Sequence, residues 1–174
     1  MKKILITLTG LLVAGSMYAQ TNAINDFQDK YHNSGKYFSL RIEGGLLRAI
    51  GSLDTDDPDT DEVLNLLKGI TAIDIHSICK SETHFSGSDY NDMMRKIKND
   101  KFEDLMVVND SDSRINFMIR ESRGRVSDLV MLVNDSDEFL VMNITGDIDL
   151  HSLARLSKKM DFKGCENLEK LKDE

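Results

Sequence analysis

The chain has 174 residues, with 22 lysines and arginines against 30 aspartates and glutamates, and its net charge is −8 at pH 7. This acidic balance disfavours nucleic acids and anionic membranes as partners, because both are bound through clustered basic side chains. The length suits one domain with a substantial core, and Pro58 is the single proline, so no proline-rich linker divides the chain.

The first nineteen residues have the pattern of a cleavable secretory signal. Lys2 and Lys3 precede the apolar run 4–15, and Ala19 supplies a small residue at the cleavage point. The run is shorter than the ~20 residues of a membrane-spanning helix. We therefore expect export, to the periplasm, of a chain that begins at Gln20 and keeps no transmembrane anchor. Loss of the two lysines takes the net charge from −8 to −10. No cysteine stands near the cleavage point, so a lipoprotein is not expected.

Helical and strand-like patterns alternate through the first half of the mature chain. Ile24, Phe27 and Tyr31 recur at helical spacing, and Ser86 with Asp89 marks the start of a second helix. The patterns between them predict a strand over 36–42, a short helix over 44–53, a helix over 63–69 and a strand over 70–79 that leaves His76 half-exposed.

The second half of the chain repeats itself. Segments 106–112 and 131–137 both end in Asn-Asp-Ser-Asp, and these residue types favour tight turns, so each copy predicts a β-hairpin. Residues 123–125 join the hairpins into a four-stranded meander. The second hairpin is apolar on both faces, which predicts that its strands lie inside the sheet.

The first hairpin alternates between apolar and polar residues. Alternation of this kind is typical of a half-buried strand, whose apolar residues point inward. We therefore expect Ile115, Phe117 and Ile119 to point inward and Arg114, Asn116 and Arg120 to point outward.

This order of elements predicts an α+β fold, in which an antiparallel sheet with a C-terminal four-stranded meander carries helices mainly on one face. A last helix, with Leu153, Leu156 and Met160 along one stripe, is expected after the meander. We expect a single domain over 20–162, followed by a charged tail over 163–174.

Several of these segments together resemble a known family, domain of unknown function 4252. The resemblance rests on strand 36–42 running into Gly-Gly-Leu-Leu-Arg at 44–48, and most of all on 128–133 and 139–149 with their Gly-Asp-Ile-Asp ending. It implies a small exported α+β protein of a Gram-negative bacterium. It brings no catalytic residues to this chain. Many members are lipoproteins, whereas this sequence lacks the cysteine that lipid attachment requires.

An acidic segment carries the best candidate for a metal site. Asp57, Asp59 and Asp61 have the alternate spacing of a calcium loop. The loop pattern fails at Glu62, where glycine is needed, and at Lys68, where a bidentate glutamate is needed. The same acids would also sit well at the N-terminus of the next helix. Weak calcium binding and a solvated helix start are both open interpretations.

The two cysteines, Cys79 and Cys165, matter because an exported chain meets an oxidising compartment. A bridge between them would close a long loop and contribute roughly 4 kcal/mol. Two separate thiols, with Cys79 as a small buried hydrophobe, are the alternative.

No nucleophile elbow, phosphate loop, dinucleotide fingerprint or zinc-protease motif is present, and no cofactor is expected. The leading functional prediction is therefore a non-enzymatic module that binds another envelope or regulatory protein. Small-ligand or weak calcium binding is the alternative. The one basic cluster, which either meets an acidic partner or protects a strand edge, consists of Arg114, Arg120, Arg123 and Arg125.

Overall fold

The computed structural model describes residues 22–150, which form a six-stranded sheet and five helices. The predicted last helix, the charged tail and the N-terminal signal lie outside the described residues. In chain order the elements are α1 (Asn22–Tyr31), β1 (Tyr37–Glu43), α2 (Gly44–Gly51), α3 (Pro58–Gly69), β2 (Ile70–Cys79), α4 (Lys80–Thr83), α5 (Gly87–Asn99), β3 (Glu103–Asn109), β4 (Ser113–Ser122), β5 (Arg125–Asp135) and β6 (Glu138–Ile148).

Every strand pair is antiparallel, and the order across the sheet is β1-β2-β6-β5-β4-β3. Strands β3 to β6 form the predicted meander, and β2 joins it along the other side of β6. Strands β5 and β6 therefore occupy the centre of the sheet, as their two apolar faces predicted. The α+β fold class is confirmed.

Both Asn-Asp-Ser-Asp segments form the predicted hairpin turns. In the first turn the backbone N–H of Asp110 donates to the Ser113 carbonyl at 2.9 Å. In the second turn the Asp135 carboxylate accepts hydrogen bonds from the backbone N–H groups of Asp137 and Glu138, at 2.8 and 2.6 Å. The backbone groups of each turn thus find hydrogen-bond partners within the turn itself, as the Asn-Asp-Ser-Asp residue types favour.

Helices α1 and α5 lie antiparallel to each other on one face of the sheet, which we call the helix-covered face. The backbone N–H at the start of α1, from Asn22, donates to Asp100 just after the end of α5, at 3.0 Å. At the other end, Lys30 forms an ion pair with Asp89 in the first turn of α5. Both predicted helices are confirmed, and their apolar stripes face the sheet.

The main core lies between these helices and the sheet. Phe139 of β6 is fully buried at its centre and contacts the rings of Phe27, Phe85 and Tyr90, with ring centroids 5.5, 4.4 and 6.2 Å away. The other fully buried side chains of this cluster come from both helices and four strands and include Ile24, Ile78, Ile97, Met118, Val130, Leu132 and Val141.

The start of α5 has the capping arrangement that its sequence predicts. The Ser86 side chain and the Asp89 carboxylate each bond the backbone of the other, which forms a capping box. Burial acts to raise the pKa of Asp89, but hydrogen bonds from Lys30 and Ser86 outweigh it and hold this pKa at about 2. The carboxylate therefore stays charged at the positive end of the helix.

Helices α2 and α3 pack against each other and against β2, at the end of the sheet where β1 finishes and β2 begins. Two glycines allow the backbones to approach closely here. A Cβ on Gly146 would lie 2.3 Å from the Gly69 carbonyl oxygen, and a Cβ on Gly69 would lie 2.5 Å from the Asp147 carbonyl oxygen. Gly146 also has φ +155°, a conformation that other residues rarely adopt.

The prediction for the two faces of β4 was wrong. Asn116 and Met118 are 1% and 0% exposed on the helix-covered face, whereas the apolar residues predicted to point inward are half-buried on the opposite face. Asn116 tolerates burial because the Tyr90 hydroxyl donates to its Oδ1 at 2.7 Å. Arg114 and Arg120 lie on the same face as Asn116, and the residues on the other face are Ile115, Phe117 and Ile119.

We predict that Gly146→Ala lowers the free energy of unfolding by about 3 kcal/mol or more, because the new methyl group meets backbone atoms that cannot move aside. Gly124→Ala is the matched control: Gly124 also has a positive φ, +75°, but its Cβ would meet nothing within 4 Å. It should cost only about 1 kcal/mol. Urea unfolding measures both, and equal losses would contradict the steric explanation.

Candidate functional site

The face of the sheet opposite α1 and α5 is apolar across all six strands, and we call it the open face. The strand register places its side chains in three rows that cross the sheet, the first row lying nearest the β5–β6 turn. From β1 to β3, the rows are Phe38, Ser77, Leu140, Val133, Ile115 and Val108; then Leu40, Ile75, Met142, Met131, Phe117 and Met106; then Ile42, Ile73, Ile144, Leu129 and Ile119.

The helix-covered face buries polar residues together with the apolar core, whereas the open face leaves apolar side chains partly exposed. On the open face, Phe38 is 53% exposed and Leu40 is 40% exposed, and every other apolar member except Leu129 is half-buried. On the helix-covered face, Asp74 and Asn143 are 2% and 1% exposed. The described chain thus leaves the apolar surface of the open face in contact with water, although apolar surface is normally buried.

One corner of the open face is covered. In the third row, Leu129 is 3% exposed and packs with Val126 and Ile148, and Leu150 lies against the same cluster. The described chain reaches no farther across the sheet at this point. The first and second rows remain the exposed part of the open face.

Two ion pairs hold charged residues on the helix-covered face. The Arg41 Nη1 of β1 donates to both carboxylate oxygens of Asp74 on β2, at 2.8 and 3.0 Å. The Arg120 Nε of β4 donates to Asp128 on β5 at 3.0 Å, while its guanidinium lies 4.8 Å from the centroid of the Phe102 ring. Each arginine keeps a buried carboxylate partnered, as burial of a charge requires.

Between the two ion pairs, a shorter chain of hydrogen bonds crosses the central strands. The Asn143 Nδ2 donates to Thr145 Oγ1 at 3.2 Å, and this hydroxyl donates to Asp128 at 3.3 Å. The Oδ1 of Asn143 is buried and has no hydrogen-bond partner among the described residues. Buried polar atoms of this kind are commonly satisfied by a single ordered water.

His76 is buried, at 3% exposure, which overturns the prediction that it is half-exposed. It lies on the helix-covered face of β2, where its Nδ1 is 2.6 Å from the Tyr37 hydroxyl and its Nε2 has no hydrogen-bond partner within residues 22–150. Burial lowers the pKa of His76 below its usual value, although the nearby Asp74 carboxylate opposes that effect. The imidazole is therefore neutral in the folded protein at pH 7.

A groove between α1 and α5 holds about 90 Å³. Ion pairs between Lys30 and Asp89 and between Lys96 and Asp26 cross its mouth. Pockets for organic ligands usually span roughly 300–1,000 Å³. This groove therefore has room for a few waters rather than for a substrate.

The acidic residues predicted as a calcium site lie at the start of α3. The Asp57 carboxylate accepts hydrogen bonds from the Thr60 backbone N–H at 3.0 Å and from the Thr60 hydroxyl at 2.6 Å, which caps the helix. Asp61 is exposed in the first turn, and the Asp59 side chain lies outside the described part of the structure. Among the described residues, no group of three or more acidic, histidine or cysteine side chains could hold a metal ion.

The four arginines predicted as a partner site do not form one patch. Arg114 and Arg120 are six residues apart on β4, a separation of about 20 Å along an extended strand. Arg123 lies in the β4–β5 turn with φ +57°, and Arg125 pairs with Asp147 at 2.6 Å. Binding of an acidic partner by these residues stays a prediction, with Arg114 at one end of β4 and the other three arginines near the β4–β5 turn.

Cys79 ends β2, is not bridged to any described residue, and its Sγ lies 3.2 Å from the Ser81 hydroxyl. Cys165 lies outside the described residues. A bridge between the two cysteines therefore stays a prediction.

Sequence reasoning missed the open face as a candidate site. Its signal was present in β6, where Leu140, Met142 and Ile144 alternate with residues that are themselves largely apolar. An apolar pattern on two faces places a strand inside a sheet, but it does not say which face the helices cover.

We predict that the folded protein loses stability as the pH falls below about 6.5, because unfolded chains protonate His76 while the folded form resists protonation. The contribution of His76 to the free energy of unfolding is complete above that pH. It decreases below that pH, by at most about 2 kcal/mol between pH 7 and pH 5. His76→Gln should flatten this part of the pH profile in urea unfolding. His32→Gln, at the exposed end of α1, should retain the wild-type slope. Equal slopes for wild type and His76→Gln would refute the assignment.

Comparison with known sequences identifies the family to which this chain belongs. No helix within residues 22–150 is long and apolar enough to cross a membrane. Neither the curated proteins nor the solved structures contain a match to the chain. A family model described as a domain of unknown function, DUF4252, matches residues 31–156, which include every strand of the sheet. The chain belongs to the DUF4252 family.

Proposed function

We propose that this protein is an exported, non-enzymatic protein-binding module that uses its open face to bind an apolar surface of another polypeptide. The observation that carries the proposal is the uncharged character of the first two rows, in which Ser77 supplies the only polar side chain. Charged residues make up 30% of the whole chain, so such a surface requires an explanation.

The size of the open face supports this proposal. Six strands at ~4.8 Å spacing and three rows at ~6.6 Å give the whole open face roughly 600 Å² in plan, of which the two exposed rows cover roughly 400 Å², before the projection of side chains is counted. The largest apolar patch on a typical monomer is about 300–600 Å², and patches at the upper end often bind other molecules. Fifteen apolar side chains in contact with water would also favour aggregation unless a partner covers them.

The use of the chemically active groups also favours binding over catalysis. Asp74 and Asp128 are engaged by arginines, and His76 is buried beneath the helices rather than open to a substrate cleft. Export to the periplasm belongs to the proposal because the apolar run 4–15 after Lys2 and Lys3 has the pattern of a secretory signal. Small-ligand or calcium binding keeps only the spacing of the acidic loop in its favour.

Site-specific photocrosslinking in cells of the source organism tests the proposal. A photoreactive phenylalanine analogue at Phe117, in the second row, should form covalent adducts with a polypeptide. The same analogue at Asn91, exposed on α5, should form few or none. Adducts should disappear when Phe38→Lys and Leu40→Lys are combined, since both positions are already exposed and tolerate charge in the unbound protein.

Leu46→Lys is the matched control, because Leu46 is 58% exposed on α2 and is not part of the open face. It should leave the adducts unchanged. Absence of adducts from Phe117 in folded, exported protein would refute the binding role of this face. Retention of the amino-terminal residues 1–19 in the mature protein, measured by intact mass, would refute export through the signal.

A further inference from the structure

We infer that the polypeptide covering the open face is a second copy of this chain, packed face to face about a two-fold axis. This inference rests on the proposed function and names its partner. Four properties of the open face support it: its symmetry about the β6–β5 line, its area, its lack of charge and the side chains at its centre.

The strand order makes the open face self-complementary. Three strands, β1, β2 and β6, lie on one side of the line between β6 and β5, and three strands, β5, β4 and β3, lie on the other. A two-fold axis parallel to this line would place each half of one sheet over the opposite half of its partner. Every position of the second row would then meet an apolar side chain, and no strand would overhang.

The area of the whole open face approaches what a stable dimer requires. A standard interface buries about 800 Å² of accessible surface on each partner. The open face covers roughly 600 Å² in plan, and projecting side chains raise its accessible area toward that value. Two sheets packed in this way would form a sandwich with a core about 10 Å thick. Each copy would thereby cover the open face of the other, which the described residues of one chain leave uncovered.

Charge leaves the open face as the surface through which two copies can meet without repulsion. The chain is acidic, so two copies repel one another over most of their surfaces. The first two rows carry no charged residue, so face-to-face contact would bury no uncompensated charge. Glu103 stands beside Ile119 at the β3 corner of the third row, where it would mark the rim of the interface.

The centre of the open face has side chains suited to packing against copies of themselves. Met142 and Met131 are paired across β6 and β5, at the position of the proposed axis. Methionine is unbranched and adapts its shape, so two such pairs can interdigitate about a symmetry axis without strain. Ile75 and Phe117 flank them and add rigid apolar area on either side.

Sedimentation equilibrium of the purified exported protein, from about 1 to 100 μM, is the test. We expect a mass twice that of one chain for the wild type. Met131→Lys should weaken the dimer at least 100-fold, because its ammonium group would be buried at the axis. The monomer tolerates this change, since the long lysine stem can reach water across an uncovered face. Leu40→Lys, at a position already 40% exposed, should also weaken association.

Leu46→Lys should leave the dimer intact and is the matched control for added charge. Circular dichroism verifies that each variant is folded. A wild-type dimer that both open-face variants leave intact would overturn the inference, because association would then use another surface. A wild-type monomer whose open face binds an apolar fluorescent dye, with binding reduced by Met131→Lys, would overturn the second copy and leave the proposed function standing.

A wild-type monomer that binds no dye would overturn both proposals together. The open face would then be covered within one chain; Leu150, the last described residue, packs beside its third row.

Discussion

A sheet with apolar side chains on both faces needs cover on both, and this constraint governs the rest of the molecule. Helices α1 and α5 shield one face over Phe139 and its neighbours, while the described chain reaches the other face only at the corner around Leu129. The central strands β5 and β6 are the most affected, since their burial depends on both layers. The alternation of side chains between the two faces of each strand therefore determines both the stability of the sheet and the surface proposed to bind a partner.

The charged residues beneath the helices have a role in this arrangement that goes beyond their own pairing. Arg41 and Asp74 are direct register partners on β1 and β2, and Arg120 and Asp128 are direct partners on β4 and β5. A slip of one residue in either pair of strands would move a charge onto the apolar face and an apolar residue under the helices. Buried ion pairs often contribute little net stability, but here their position favours one register over its alternatives.

Much of the architecture follows from local chemistry that the sequence displays. The Asn-Asp-Ser-Asp turns, the Ser86–Asp89 cap and the periodicity of α1 and α5 depend on residues close together in the chain, and all were predicted. Which residues of β4 face the helices was not predicted correctly, because burial of Asn116 depends on a hydrogen bond from Tyr90 of α5. The open face escaped prediction for the same reason: its rows join six strands whose order only the folded chain reveals.

The position of β2 beside β6 determines the order in which the strands of the sheet can pair during folding. Ile75 finds its neighbour Met142 only 67 residues later in the chain, whereas β3 to β6 are joined by turns of a few residues. Short-range pairings of this kind form before distant ones. In a newly made chain β1 and β2 can thus pair with each other, but β2 has no β6 edge to join until the trailing half exists. The sheet is therefore completed only after the last strand is made, and the proposed export would require a chain that is still unfolded in this way.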